Sequence, residues 1–422
     1  MSAKPQRILV INAGSGSQRC SLFAVAPSAL PAGPREPLWE GTLDSTEPGR
    51  PRGKLVIRVR RGARKTVADV IDESSSVRER TTHLVRALWD GPAASLSGPG
   101  EIDAIGHRVV HGGGEFGTAV PVTRATEEAI ERLGAMAPLH NASNLCGIRV
   151  ARRLVGGHAP SFAVFDTAYH RTLAPEASTY PGPREWLGQG LRRYGFHGTS
   201  FRWASAQAAR LLGRVGDPEL RLVICHLGGG CSLCATRGGV SVDTTMGFTP
   251  LDGIAMCTRS GSVDPGILVY LMRRGLSAGR IEKMLNKESG LKGLSGVSGD
   301  TRVLRPRMLA GEEGPRLAWG VFVHRLRAGI GQMLASLGAA PHALVFTDAI
   351  SEDDPRMRAD ACSAFGFLGL ELDPRRNTRS PVDADIATKA SAVRVLIVKS
   401  REAWQIAREC HELLNGGVPA AL

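Results

Sequence analysis

Two stretches of this chain share one pattern of apolar and polar positions. Residues 8–25 read ILVINAGSGSQRCSLFAV and residues 222–235 read LVICHLGGGCSLCA. Each is an apolar, β-rich run, a turn of glycines and small polar residues, and a return run, which predicts two strands joined by a tight hairpin. The copies stand about 210 residues apart, as a duplicated domain with one hairpin per half would place them. The remaining pattern alternates. Ile102–Val110 reads as a strand entering His111 and three glycines, Glu127–Ala137 as a helix, and Ser161–Asp166 as a strand ending in a carboxylate. Thr199–Leu212 is an amphipathic helix. A long polar segment surrounds Arg259, with helices near 266–286 and at Ala318–Leu337, and a strand at Ala343–Thr347. A strand at Val393–Val398 and a helix at Arg401–Leu414 close the chain. Strands mixed with helices in two similar halves predict an α/β protein with a central cleft. The proline-rich stretches 27–37 and 48–51 are expected to be surface loops.

The hairpin turns are the first candidate chemistry. A glycine-rich turn lets backbone N–H groups converge on an anion, because glycine tolerates close approach and positive φ. Gly14, Ser15, Gly16 and Ser17 fit, with Arg19 able to add a charge, and Gly228, Gly229 and Gly230 repeat the arrangement. Singly, such turns simply join strands in many folds. As a pair in duplicated halves they resemble the phosphate clamp of the actin, sugar-kinase and heat-shock ATPase architecture. No G-x-x-x-x-G-K-[ST] occurs, which excludes a P-loop.

Composition narrows the class. The 422 residues are too many for one ordinary core, so two domains are expected. At 42% hydrophobic and 22% charged, the chain has the make-up of a folded globular protein. No apolar run approaches the ~20 residues that cross a bilayer, and the first residues lack the long apolar core of a secretory signal, so the expectation is cytoplasmic. The net charge of +13 is spread along the chain. Its densest run, Arg58, Arg60, Arg61, Arg64 and Lys65, lacks interleaved aromatics and reads as a solvated face rather than a nucleic-acid surface. Eight cysteines are scattered, and those in apolar segments read as small buried hydrophobes. Cys231 and Cys234 form a C-x-x-C, but on an extended strand they face opposite sides, which suits neither a shared metal nor a dithiol.

Four segments carry a specific resemblance. They are Gly106–Gly113 (GHRVVHGG), Phe165–His170 (FDTAYH), Tyr194–Ser200 (YGFHGTS), and Asp243–Gly253 (DTTMGFTPLDG) running on to Thr258-Arg259-Ser260-Gly261. With the two hairpins they follow the order of the acetate kinase family across nearly the whole chain, and the chain resembles that family. The resemblance implies a duplicated two-domain actin-like ATPase fold with mixed sheets flanked by helices. Its expected parts are an N-terminal domain 1–168, a nucleotide-binding domain 169–399, and a C-terminal helix, 400–422, packing back on the first. The implied reaction is reversible phosphoryl transfer between ATP and acetate, giving acetyl phosphate and ADP, with Mg²⁺ (or Mn²⁺) as cofactor and a homodimer as the assembly.

By the same resemblance, Arg108 and Arg259 hold the carboxylate and the phosphoryl group in flight, which suits guanidinium forks that stay charged. His197 donates a hydrogen bond to the transferring group, and His140 is a further active-site histidine. Asp166 is the family's catalytic carboxylate. A carboxylate substrate is already ionised near neutral pH, so orienting substrate or magnesium is a more economical role than strong base. Val110, Leu139 and Pro250 match the pocket for the acyl methyl, and are equally the residues of an ordinary core. Asn12 and Glu402 match the magnesium ligands. Nucleotide contacts fall on Arg19, on His226, Leu227, Gly228, Gly229 and Gly230, on Asp300, Thr301 and Arg302, and on Ala349, Ile350, Ser351, Glu352 and Asp353.

The departures from the family pattern cluster in the nucleotide half. Gly16 and Arg19 replace a serine and a lysine in the first hairpin, Gly229 replaces the asparagine of H-L-G-N-G, and Ser262 replaces the aspartate of T-R-S-G-D. The adenosine loop G-I-G-E-N is here Ala349-Ile350-Ser351-Glu352-Asp353, preceded by Asp348; P-T-N-E-E is Lys399-Ser400-Arg401-Glu402-Ala403. If the loop keeps the family path, Ala349 or Ser351 falls at positive φ, at ~1 kcal/mol. Asp348 and Asp353 add negative charge beside a polyanion. Weakened ATP binding is the expectation. Propionate or butyrate as acceptor, pyrophosphate as donor, and a degenerate binding or regulatory protein are the other readings. Retention of Arg108, His140, Asp166, His197, Arg259 and Glu402 argues against the last.

Overall fold

The computed structural model describes residues 4–14, 17–27, 30–31, 33–44, 53–138 and 140–417. The chain divides into two compact units. One runs to Ala168 and takes in the segment from Arg401 onward; the other is Tyr169–Ser400.

The first unit is built on eight strands: β1 (Gln6–Ala13), β2 (Ser17–Val25), β3 (Trp39–Asp44), β4 (Lys54–Arg61), β5 (Arg64–Asp72), β6 (Ala104–Val109), β7 (Val120–Pro121) and β8 (Ser161–Phe165). Their order across the sheet is β5-β4-β3-β2-β1-β6-β8-β7. β1 to β5 form an antiparallel meander, and β1, β6 and β8 run parallel. Both faces of the sheet centre are covered, which explains the near-continuous apolar run of β1. Helix Asn141–Val155 covers one face. A Cβ on Gly147 would come within 2.7 Å of the Ala13 side chain, so glycine lets the helix lie close. Helix Glu402–Leu414 covers the other, where a Cβ on Gly106 would lie 2.6 Å from Cys410 Sγ and 2.7 Å from the Ile406 side chain.

The direction of that last helix matters for the site. Its far end is tied to the start of β1 by reciprocal Gln6–Asn415 hydrogen bonds of 3.2 and 3.1 Å, and His411 Nε2 lies 2.9 Å from the Ala26 carbonyl. The helix therefore runs antiparallel to β1. Thirteen helical residues and six strand residues each span ~20 Å, which brings Glu402, its first residue, level with the carboxyl end of β1.

The second unit has β9 (Arg221–Leu227), β10 (Cys231–Arg237), β11 (Val240–Thr244), β12 (Ala343–Thr347), β13 (Ala384–Asp385) and β14 (Arg394–Ile397), in the order β11-β10-β9-β12-β14-β13. β9, β12 and β14 are parallel, and β9–β10–β11 are antiparallel. The core order β3-β2-β1-β6-β8 of the first unit and β11-β10-β9-β12-β14 of the second is the same, so the fold is a duplicated mixed α/β sheet. Helix Glu313–Leu337 packs on β10 and β11 and buries Trp319, Phe322, Leu326, Ile330, Met333 and Leu337, a helical-period stripe. It starts five residues before the apolar pattern predicts, because Pro315 is tolerated in its first turn. Among the described residues no helix is long and apolar enough to cross a membrane. The expected loop 48–51 lies outside the described residues.

Candidate active site

In parallel strands, register partners point to the same face. Ile11 pairs with His107, and Arg108 with Val164, so the next residues out, Asn12 and Arg108, share a face, and Asp166, two beyond Val164, joins them. Arg19 is the antiparallel partner of Asn12 and is exposed on that face. This is the face that carries helix Glu402–Leu414, and the carboxyl ends of parallel strands are where open α/β sheets bind ligands. The sheet thus gathers Asn12, Arg19, Arg108, Asp166 and Glu402 at one end of one face.

Arg108 and Asp166 meet as a fork. Nε donates to Oδ1 at 2.9 Å and Nη2 to Oδ2 at 2.5 Å. The Asp166 side chain is only 1% exposed, against 17% for Arg108. A carboxylate gripped in a guanidinium fork fixes the plane of its partner; this geometry suits orientation of Arg108 rather than proton abstraction. The strand ends are themselves clamped by side chains that sequence reasoning missed. Asn144 accepts from Val110 N–H (3.1 Å) and donates to the Ala13 carbonyl (3.0 Å). Asn141 accepts from His111 N–H and donates to the His111 carbonyl, both at 3.0 Å. Their signal was present as Asn141 and Asn144 three apart on a helix beside a glycine-rich turn. Val110 is buried, His140 is the N-cap residue of the same helix, and Leu139 lies outside the described residues, as do Ser15 and Gly16.

In the second unit the β9–β10 turn is the centre. A Cβ on Gly230 would lie 3.3 Å from both Arg259 Nη1 and His197 Nε2, so the two side chains converge on this glycine. Arg259 Nη1 also donates to the Pro250 carbonyl at 3.2 Å, which places Pro250 beside it. His197 precedes helix Gly198–Leu211 with left-handed backbone (φ 57°, ψ 23°), and its Nδ1 lies 2.8 Å from Ser232 Oγ on β10. Its ring stacks on His226 at 4.1 Å. His226 in turn has Nδ1 2.8 Å from Ser200 Oγ and Nε2 3.3 Å from Asp348 Oδ2. Two cysteines back the turn: Cys231 Sγ and Cys257 Sγ both donate to the Gly228 carbonyl at 3.4 Å. Burial pushes the Cys257 thiol up to about 11 and that of Cys231 well above its usual range, so both are neutral donors. Cys231 and Cys234 face opposite ways on β10, the latter toward Ser241.

The remaining residues expected to contact nucleotide group around this turn. Asp300 caps helix Thr301–Leu309 and holds its own Arg302, with Nη2 to Oδ2 at 2.7 Å; the pair lowers the Asp300 carboxyl and raises the Arg302 guanidinium. Arg302 also feels the charge of Asp353. Glu352 Oε1 accepts from Asp348 N–H at 2.9 Å and Ser400 N–H at 2.7 Å; burial raises its carboxyl above the ordinary value. Leu227, Thr301 and Ile350 are buried and can present little but backbone. A side chain at 229 would meet nothing within 4 Å.

One expectation is overturned. Ala349–Asp353 is a short right-handed helix, and neither Ala349 nor Ser351 has positive φ. The loop absorbs both side chains because Ser351 Oγ turns inward to the Thr347 carbonyl, and Arg358, fully buried, donates to the carbonyls of Ser351 and Glu352. The strained residue is Asp348, at φ 73°.

Among the described residues no group of three or more His, Cys, Asp and Glu side chains is arranged to hold a metal. Magnesium does not need one: it keeps several waters and takes one or two protein oxygens plus substrate phosphates. Asn12 and Glu402, both half-buried at the same strand end, are an oxygen pair of that kind.

The family model described as "Acetokinase family" matches residues 7–408. The acetate kinase of Trichormus variabilis is 47% identical over 410 residues, covering 97% of this chain and 100% of that protein. Among solved structures, Porphyromonas gingivalis acetate kinase superposes with a TM-score of 0.84 at 32% identity, covering 97% of this chain and 100% of that one. A propionate kinase from Francisella tularensis gives the same score and identity over 96% and 98%.

Proposed function

This chain belongs to the acetokinase family, and we propose that it is an acetate kinase, moving a phosphoryl group reversibly between ATP and acetate. The observation that carries the reading is the convergence of Arg259 and His197 on Gly230. A phosphoryl group in flight spreads charge over its oxygens, and catalysis consists largely of positioning and of fixed positive or donor groups around them. On the first unit, Arg108, set by Asp166, takes the carboxylate, and Val110 borders the acyl methyl. On the second, the Gly228–Gly230 turn receives the donor phosphates, with Asp300, Arg302 and the 349–353 helix around the nucleoside. Magnesium, held by Asn12 and Glu402, would neutralise phosphate charge. Asp166 orients Arg108, and no proton need leave an acid that arrives ionised.

The assembly is proposed as a homodimer. Helix Pro265–Arg273 has no buried residue, yet Ile267, Val269, Tyr270 and Met272 are 42–58% exposed. Apolar side chains exposed all round a helix mark a surface made to be covered, and a second copy would cover it; Tyr270→Glu should shift the protein to monomer in analytical ultracentrifugation. All eight thiols are free, and we place the enzyme in the cytoplasm, where thiols stay reduced.

The test of the reaction is a hydroxamate assay on the purified full chain, in which hydroxylamine traps acyl phosphate. Acetate, ATP and magnesium should give product, with kcat/KM for acetate above that for propionate and butyrate. One methylene changes binding by only ~1–3 kcal/mol, so all three acids belong in the assay. No hydroxamate from acetate and ATP, with product from pyrophosphate instead, would transfer the reading to another donor.

A further inference from the structure

Asp348 has a backbone that almost no residue but glycine adopts, φ 73° with ψ 166°. Of the other non-glycine residues at positive φ, His197 (57°, 23°) and Ser380 (47°, 51°) lie in the ordinary left-handed helical basin, and Asp383 has φ 53°. The strained turn at 348 is pinned from both sides, since its N–H donates to Glu352 Oε1 and its carbonyl accepts from Glu352 N–H, each at 2.9 Å. This conformation throws the carboxylate back over the β9–β10 turn. A Cβ added to Gly228 would run into Asp348 Oδ2, and the same oxygen is 3.3 Å from His226 Nε2. A carboxylate therefore rests over the β9–β10 turn at Gly228, whose own N–H is turned inward to the Gly230 carbonyl at 3.1 Å.

Strain of this kind persists only where the surroundings hold it, and it concentrates at ligand sites. We propose that Asp348 is a specificity-determining residue of the donor subsite, its carboxylate standing where a nucleotide phosphate oxygen would go. This rests on the reading of the Gly228–Gly230 turn as the phosphate cradle. An incoming nucleoside polyphosphate has to displace a like charge, so the residue weakens binding of the donor and leaves the carboxylate acceptor alone.

Two substitutions separate charge from strain. Asp348→Asn keeps the shape and the strain and removes only the charge; Asp348→Gly removes side chain and strain together. Calorimetric titration of the purified full chain with ADP and magnesium, and with pyrophosphate and magnesium, is run beside steady-state kinetics. Both variants should bind ADP at least tenfold more tightly than the parent, ~1.4 kcal/mol. The KM for ATP should fall in step, and that for acetate should move less than twofold. Unchanged ADP binding in a natively folded Asp348→Asn protein overturns the proposal. Weaker binding overturns it too, since the carboxylate would then be holding the donor through its cation. Should Asp348→Asn not fold, the glycine variant decides. A parent protein that makes no acyl phosphate would defeat the reaction proposed above, and the ADP titration would still decide the role of Asp348.

Discussion

Replacing Asn144 by alanine removes one side chain with two backbone partners. Its Oδ1 accepts from Val110 N–H at 3.1 Å and its Nδ2 donates to the Ala13 carbonyl at 3.0 Å. All three residues are buried, Asn144 to 3% exposure. The substitution leaves an orphan donor just past β6 and an orphan acceptor at the end of β1. Each unsatisfied group costs ~1–3 kcal/mol, and the vacated space is polar and about the size of one water, which would recover part of the loss. The expected destabilisation is ~2–3 kcal/mol. Because two compact units need not unfold together, local hydrogen exchange is the cleaner assay. The peptide spanning residues 104–113 should exchange ~10²-fold faster at Val110. Turnover should fall as well, since Asn12 and Arg108 sit on the released strand ends. Arg153→Ala, on the exposed side of the same helix, is the control and should change stability by less than ~0.5 kcal/mol. If Asn144→Ala keeps Val110 protected and costs no more than this control, the clamp argument is wrong.

Arg259→Ala should lower kcat by ~10²-fold or more with a native circular-dichroism spectrum, as loss of a transition-state contact does; near-normal kcat would remove Arg259 from the mechanism. Burial, with a smaller contribution from Arg152, depresses His107 to about 3, and burial depresses His170 to about 4. Both are neutral when folded and take up protons on unfolding below about 6.5, so their stabilisation is present above pH ~6.5 and is lost as pH falls toward 4 and then 3, at ~1.4 kcal/mol per pH unit for each. Melting temperature should drop steeply from pH 6.5 to 5, and a flat profile would contradict this. Arg358→Ala strips hydrogen bonds from Asn377, Ser351, Glu352 and Ser380 in a fully buried site. It should cost ~3–5 kcal/mol, and a thermal shift within error of the parent would refute the bracing role.

What the chain discloses on inspection depends on how its elements are buried. β1, β9 and β12 are covered on both faces and are almost purely apolar, so they stand out at once; Ala343–Thr347 is read to the residue. β4 and β5 do not stand out, because their outward positions are arginines and lysines and β5 is half-exposed, which makes the pair resemble a charged loop. Helix Asn141–Val155 hides for the opposite reason: Asn141, Asn144 and Gly147 face inward to meet strand ends and close backbone, so they interrupt the apolar stripe that Leu145, Ile148, Ala151 and Val155 would otherwise show. The site residues were legible as motifs, but their pairings were not. Nothing in the spacing of Arg108 and Asp166 shows a fork, since that contact is made by neighbouring strands 58 residues apart. The loop at 349–353 was misjudged because substitution by larger residues was expected to strain the residues that changed. The segment instead takes a helical path in which buried Arg358 holds the carbonyls of Ser351 and Glu352, and the positive φ falls on Asp348.

The duplicated sheet poses one geometric problem twice, and the two units meet it with different side chains. In each, the strand that starts the hairpin lies beside one parallel strand with a second parallel strand beyond it, and register partners on those ends share a face. In the first unit the shared positions are an amide, a guanidinium and a carboxylate, Asn12, Arg108 and Asp166, all supplied by the strands themselves. In the second the register partner of His226 is Thr347, a neutral hydroxyl, and Asp348 follows it. The cation and the second imidazole come from outside the sheet: Arg259 from an irregular segment and His197 from the start of a helix, both over Gly230. A small, ionised carboxylate needs a fixed fork and little else, which strand ends provide rigidly. A polyphosphate and a moving phosphoryl group need donors on several sides, and a bare glycine turn leaves room for side chains to approach from elsewhere. The same backbone therefore predicts that substitutions at strand ends of the first unit act on the acceptor, while those around the β9–β10 turn act on the donor.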